Sequence, residues 1–212
     1  MLTLTVGLAV AAFFAWLFGV LLEGVVMREP ITHLDRLVAV ALSERAYPRL
    51  TQVMGVVTFF GGGLWAGTVS VLVSVVLGWR KRWRDALVLL TSVAGADLLM
   101  EVLKLLVHRP RPDLVRPLIH AGGYSFPSGH ATTSVALYLV LALLAFGWVR
   151  RWDARICILL SALAVSALIG FSRLYLGVHY VSDVLAGFAL GAFWVALCVT
   201  AGAAFGRARR AV

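Results

Sequence analysis

The sequence is poor in charge, acid and cysteine. Of its 212 residues 14% are charged, and only 10 are Asp or Glu. A water-soluble domain carries about 25% charged residues. The shortage excludes a surface-rich soluble enzyme and a disordered chain, which needs charge to stay solvated. The two cysteines, Cys157 and Cys198, lie in apolar runs. They read as core thiols, which excludes a disulfide scaffold and suggests no metal. No internal repeat is visible and no linker divides the chain. Residues 1–212 therefore read as one domain.

Apolar sequence is abundant. Hydrophobic residues make up 61% of the chain, and a bilayer span takes roughly 20 of them. The total suffices for about six spans. The runs bracket at 3–26, 51–78, 86–107, 128–149, 156–172 and 179–205. The first is too long, and too poor in basic residues at its start, for a cleaved signal peptide. In the mixed stretch 28–49, Leu34, Leu37, Val38, Ala41 and Leu42 recur at helical spacing. Asp35, Arg36, Glu44 and Arg45 lie elsewhere on the wheel. That pattern predicts an amphipathic helix lying in the interface. Gly61-Gly62-Gly63 predicts a break in the second run, or a point of close helix packing. The expected fold is all-α: an integral membrane bundle of six transmembrane helices plus an interfacial helix between the first two.

The net charge is +9, from 19 Lys and Arg. In a soluble protein this would point to nucleic acid; in a membrane protein it marks the cytoplasmic loops. Three segments fall on one side of a six-span layout. They hold Arg80, Lys81, Arg82 and Arg84, then Arg150, Arg151 and Arg155, then Arg207, Arg209 and Arg210. Both termini are expected in the cytoplasm, and no nucleic-acid partner is expected. Trp79, Trp83, Trp148 and Trp152 flank the same loops, as interfacial anchors do.

The reactive residue types gather at the opposite ends of the spans. Run three ends in Lys104 to Pro112, with Arg111. Run four opens on Pro127-Ser128-Gly129-His130. Run five ends in Ser172-Arg173, and run six opens on His179 with Asp183 four residues on. Any one of Lys104, Arg111 and Arg173 can simply snorkel to the headgroups. Three cations beside two histidines favour a phosphate or other oxyanion site. Pro127 to His130 reads as a helix start, whose free N–H groups suit an anion. At i, i+4 spacing Asp183 can fix the His179 tautomer and leave the other nitrogen as nucleophile or base. The bland alternative is a lone interfacial histidine beside a capping aspartate. His130 is available as a general acid.

These residues carry a resemblance. Lys104-(six residues)-Arg111-Pro112, Pro127-Ser128-Gly129-His130 and Ser172-Arg173-(five residues)-His179-(three residues)-Asp183 resemble the three-part signature of the type 2 phosphatidic acid phosphatase superfamily. Within it the chain looks most like bacterial phosphatidylglycerophosphatase B-like membrane lipid phosphatases. The resemblance implies that His179 is a nucleophile forming a phosphohistidine and that Asp183 orients it. It implies that His130 protonates the leaving oxygen and then activates water. Lys104, Arg111 and Arg173 would bind the phosphoryl oxygens, helped by Ser128, the Gly129 amide and the Ser172 hydroxyl. No metal and no cofactor are implied. The superfamily's haloperoxidase branch is soluble, so composition excludes it.

Further polar positions admit two readings. Asp97, Glu101, Lys104 and His108 share one face of run three. Glu101 either supports Lys104 or Arg173 from outside the site, or joins Asp97 in tying helices together. His108 and Arg109 are expected at the outer rim, near the headgroup. The loop 113–126, with Arg116 and His120, is expected over the site as a lid or a plain connection.

The expected function is metal-independent hydrolysis of the terminal phosphate of a lipid phosphate or pyrophosphate. Candidate substrates are undecaprenyl pyrophosphate, phosphatidylglycerophosphate and phosphatidic acid. A lipid phosphotransferase using the same intermediate is the alternative. A transporter is more remote, because the charges gather at one interface rather than at the midplane. The expected place is a bacterial inner membrane, among its lipids, with the site on the extracytoplasmic side.

Overall fold

A computed structural model of the chain describes residues 2–28, 30–114 and 121–208. Among these, all regular structure is helical. Eight helices follow in order: α1 (Leu2–Val26), α2 (Pro30–Glu44), α3 (Pro48–Phe59), α4 (Gly63–Trp79), α5 (Trp83–Val107), α6 (Gly129–Ala145), α7 (Trp152–Tyr175) and α8 (Val181–Ala208). Arg116, His120, Arg209 and Arg210 lie outside the described residues.

Each apolar run yields helix, with instructive differences. α1, α5, α7 and α8 are long and apolar enough to cross a membrane. The second run is not one helix: α3 and α4 are bent by 41° about the triple glycine, the geometry of a broken span or a re-entrant loop. Both expectations for the glycines hold there. A Cβ at Gly61 would fall 2.4 Å from Cγ2 of Ile169 and 3.3 Å from the His130 carbonyl oxygen. The bend is thus also where α7 and α6 come closest. The fourth run gives only the 17-residue α6, about 26 Å long. It stops at Ala145 because the Arg155 guanidinium collects the carbonyls of Phe146 (3.1 Å) and Val149 (2.8 Å). A cation at a helix C-terminus satisfies carbonyls the helix cannot.

The bundle is apolar on its outer face, and its charged and hydroxyl side chains cluster inside among an apolar core. Leu64, Leu98 and Leu106 point outward and are 81%, 68% and 71% exposed. Ser128, Ser172, Arg173, His179 and Asp183 are buried. In water so much apolar surface would drive aggregation; against lipid tails it carries no such penalty. Trp79, Trp83, Trp148 and Trp152 are all exposed at one end, where indoles anchor at headgroup level.

Helix α2 corrects the wheel read from sequence. Leu34 and Leu37 face outward, whereas Asp35 is buried. The physical reason is partnership: outside, leucine meets lipid at no cost, and inside, Asp35 meets a guanidinium.

α6 lies against α4, α5, α7 and α8, with α1 laid along α8. Gly187 lets α8 approach: a Cβ there would sit 2.7 Å from the Ser128 carbonyl oxygen. At the tryptophan end α5 and α6 are level, since Arg82 stacks over the Trp148 ring at 4.5 Å. At the other end they are not. A Cβ on Gly129 would lie 3.2 Å from Cε of Met100 and 3.5 Å from Nζ of Lys104. α5 then continues to Val107. The start of α6 therefore sits below the end of its neighbour.

Candidate active site

Three loops meet at that sunken helix start, and backbone hydrogen bonds stitch them. The Ser128 N–H donates to the Asp183 carbonyl (3.0 Å), and the Ser125 N–H donates to the Arg109 carbonyl (2.9 Å). The Ser125 hydroxyl donates to the Pro110 carbonyl at 3.0 Å. The segment after α5, the segment before α6 and the start of α8 thus form one unit. This is the convergence the sequence predicts.

His179 is not itself helical. α8 starts at Val181, and the Tyr180 N–H donates to Oδ2 of Asp183 at 2.8 Å. A carboxylate three residues inside a helix reaches back this way to cap its first turn. The same bond aims Asp183 at His179, whose Nδ1 lies 3.5 Å from Oδ2. That is ion-pair range and just beyond a well-formed hydrogen bond. On the other side of the ring, Nη1 of Arg111 lies 3.2 Å from Nε2. Arg111 is held by the carbonyls of Gly122, Gly123 and Val178. A guanidinium has no acceptor, so it must donate to Nε2. That leaves the ring proton on Nδ1, facing Asp183.

Arg173 is buried and donates from Nη1 to the Thr58 hydroxyl of α3 at 2.7 Å. Six buried side-chain polar atoms have no hydrogen-bond partner within the described residues, and three of them fall at signature positions: Nε of Arg173, Oγ of Ser128 and Nδ1 of His179. Buried polar groups are nearly always satisfied. His179 Nδ1 faces Asp183, whereas the Ser128 and Arg173 orphans mark a place built for a polar guest. His130, at the start of α6, lies within electrostatic reach of the cations Arg173, Lys104 and Arg111 and of the His179 ring. The structure thus gathers His130, His179, Asp183, Arg111, Arg173, Lys104, Ser128 and Gly129.

Two expected site residues sit less centrally. The Ser172 hydroxyl donates to the Ile169 carbonyl of its own helix at 2.6 Å, which occupies its proton. Glu101 is exposed and pairs with Lys104 at 3.0 Å. Asp97 accepts from Thr133 of α6 at 3.5 Å, the helix-tying role. Among the described residues, no three His, Cys, Asp or Glu side chains come together as metal ligands.

Arg109 corrects the rim expectation. It bridges Asp35 at 2.7 Å and Asp183 at 2.5 Å, with both carboxylates buried. Sequence reasoning missed it, Asp35 and Thr58. Only Asp35 left a trace: it falls i, i+4 from the buried Ala39, on one face. His108, by contrast, is exposed as expected and packs edge-on to Tyr124.

Burial pulls the His179 pKa from 6.5 down to about 4, overriding the raising effect of Asp183. At pH 7 its ring is neutral. Burial also lowers Arg111, against Asp183, which raises it. The consequence for stability has a definite sign. Between pH 6.5 and 4 the unfolded chain binds a proton at His179 that the folded chain refuses, so stability falls as pH drops through that window. Melting temperature in detergent should decline across it, and the decline should be shallower in His179→Asn. Equal slopes in the two proteins would refute this assignment.

The PAP2 superfamily model matches residues 85–207. The chain is 34% identical to phosphatidylglycerophosphatase B of Bacillus subtilis (strain 168) over 181 residues, 83% of this chain and 87% of that protein. It is 36% identical to a lipid A 1-phosphatase of Rhizobium etli over 115 residues, 50% of this chain and 45% of that one. Among solved structures, a transmembrane PAP2-type phosphatidylglycerolphosphate phosphatase from Bacillus subtilis superposes with a TM-score of 0.82 at 29% identity. That match covers 90% of this chain and 94% of the other.

Proposed function

The chain belongs to the PAP2 superfamily, and from that premise we propose that it hydrolyses the terminal phosphate of a membrane lipid through a phosphohistidine on His179. The observation that carries the reading is the set of buried orphans, Ser128 Oγ and Arg173 Nε, beside a histidine whose Nε2 meets Arg111 at 3.2 Å. A phosphoryl group has the oxygens to satisfy those donors.

The steps balance as follows. Nε2 of neutral His179 attacks phosphorus while the bond to the leaving oxygen breaks. His130 gives that oxygen its proton. The His179 ring, now bonded at Nε2 and protonated at Nδ1, is cationic, and Asp183 stabilises it. Water then attacks phosphorus, His130 takes its proton, the N–P bond breaks and His179 returns to neutral. Phosphoryl transfer asks the protein chiefly for positioning and charge neutralisation. Lys104, Arg111 and Arg173 supply the cations.

In the membrane, the α3–α4 pair and α6 complete six crossings with α1, α5, α7 and α8, and α2 lies in the interface. The basic loops Arg80–Arg84 and Arg150–Arg155 face the cytoplasm. The site opens to the outer leaflet of a bacterial inner membrane. The relatives named above are phosphatases of membrane lipids, which favours a lipid substrate.

The test is a panel of undecaprenyl pyrophosphate, phosphatidylglycerophosphate and phosphatidic acid in detergent micelles with EDTA. The purified protein should release inorganic phosphate from at least one. Silence on all three would sink the reading.

A further inference from the structure

We propose that Asp35 and Arg109 are positioning residues, which hold the Asp183 carboxylate against His179 and anchor α2 to the reacting centre. The inference rests on the phosphatase reading above and adds two residues to it. Neither belongs to the three-part signature.

Arg109 spends both ends of its fork. Nη1 donates to Oδ1 of Asp183 (2.5 Å) and to Oγ of Ser182 (2.7 Å). Nη2 donates to Oδ2 of Asp35 (2.7 Å). Asp35 in turn accepts the Ser182 N–H at 2.9 Å and the Ser182 hydroxyl at 2.5 Å. The Tyr180 ring lies under the guanidinium, 4.4 Å from its carbon. With Tyr180 N–H on Oδ2, each oxygen of Asp183 has a fixed donor and the carboxylate cannot rotate. Planar, two-ended recognition of this kind is what arginine offers and lysine does not.

Charge supports the same role. Two carboxylates, both fully buried, share one guanidinium. The cluster is short of one positive charge. His179 supplies it when its ring becomes cationic on bonding phosphorus, and a preorganised negative cluster favours that state over the resting one. Without Asp35, Arg109 would spend its charge on Asp183 alone and weaken the pull on the ring.

Arg109 also lines a cavity of about 590 Å³ together with Arg28, His33, Arg36 and Tyr180. A small cation can enter there, which provides a test. Arg109→Ala, Arg109→Lys and Asp35→Asn are assayed beside wild type on phosphatidylglycerophosphate, or on whichever panel lipid wild type turns over fastest. Arg109→Ala should lose about 100-fold in kcat with KM little changed, because a small misplacement of a reacting group costs that much. Added guanidinium at millimolar concentration should restore at least about tenfold of that loss and should not revive His179→Ala. Asp35→Asn, which keeps the shape but replaces one acceptor oxygen with a donor, should lose about tenfold in kcat with KM little changed. Arg109→Lys should fall between. A raised KM with intact kcat would make Arg109 a headgroup contact and overturn the proposal. So would wild-type kcat in Asp35→Asn, even if Arg109→Ala fails to fold. A wild type silent on every lipid overturns the parent reading and takes this one with it. An active wild type with unaffected variants overturns this one alone.

Discussion

Phosphate release by His179→Ala is expected to fall by about 10⁴-fold or more. The neighbours cannot compensate. Arg111 and Arg173 would still hold the phosphoryl group, but no nucleophile would remain within reach. In the proposed mechanism His130 serves the leaving oxygen, and Asp183 is tied to Arg109 and Tyr180. Two measurements separate this outcome from simple damage. Wild type quenched during turnover of phosphate-labelled lipid should carry label that is lost in acid and kept in base, as an N–P bond requires. His179→Ala should carry none while still binding the lipid. Label persisting in the variant, or turnover within a few fold of wild type, would remove His179 from its role.

Arg173→Met should cost about 10²- to 10³-fold in kcat/KM, the usual price of losing one donor from an oxyanion site. Methionine keeps most of the volume, so the loss reads charge and donors rather than packing. Arg173 is buried, bonded to Thr58 at 2.7 Å, and carries an unpartnered Nε. Lysine restores the charge without the fork and should recover only part of the rate. Thr58→Ala should be milder, since it removes a support and leaves the guanidinium in place. If Arg173→Met retains more than about a tenth of wild-type kcat/KM, the orphaned Nε is not aimed at substrate.

Much of this arrangement was legible in the sequence, for a physical reason. A bilayer forces apolar runs of fixed length, and six of them put six run ends on one side, four of which carry the signature residues. The signature spacing then located His130, His179 and Asp183. What the spacing could not reveal is which polar residue turns inward. The helical wheel puts Asp35 on the polar side of an interfacial helix, and the signature leaves Arg109 at the outer rim near the headgroup; the structure pairs them with each other and with Asp183. Pairing is a property of two distant segments, and neither segment announces it. Thr58 was hidden more completely, as one hydroxyl in a long apolar run. The bend after it was readable from Gly61 to Gly63, but not its angle. The start of α8 was misjudged by two residues, because the His179–Asp183 spacing fits a helix whether or not the histidine belongs to it.

The difference in height between α5 and α6 decides more than packing. Gly129 stands beside Met100 and Lys104, and α5 rises a further three to seven residues to Val107, roughly 5–10 Å. In the proposed mechanism the reacting phosphorus must reach that depth, beside the start of α6. A monoester or the outer phosphate of a diphosphate can go down first, with its chain trailing behind. Ordinary diester phospholipids carry glycerol on one side of the phosphate and an alcohol on the other, and neither side can lead. On that mechanism, depth alone would protect the surrounding bilayer from the enzyme embedded in it.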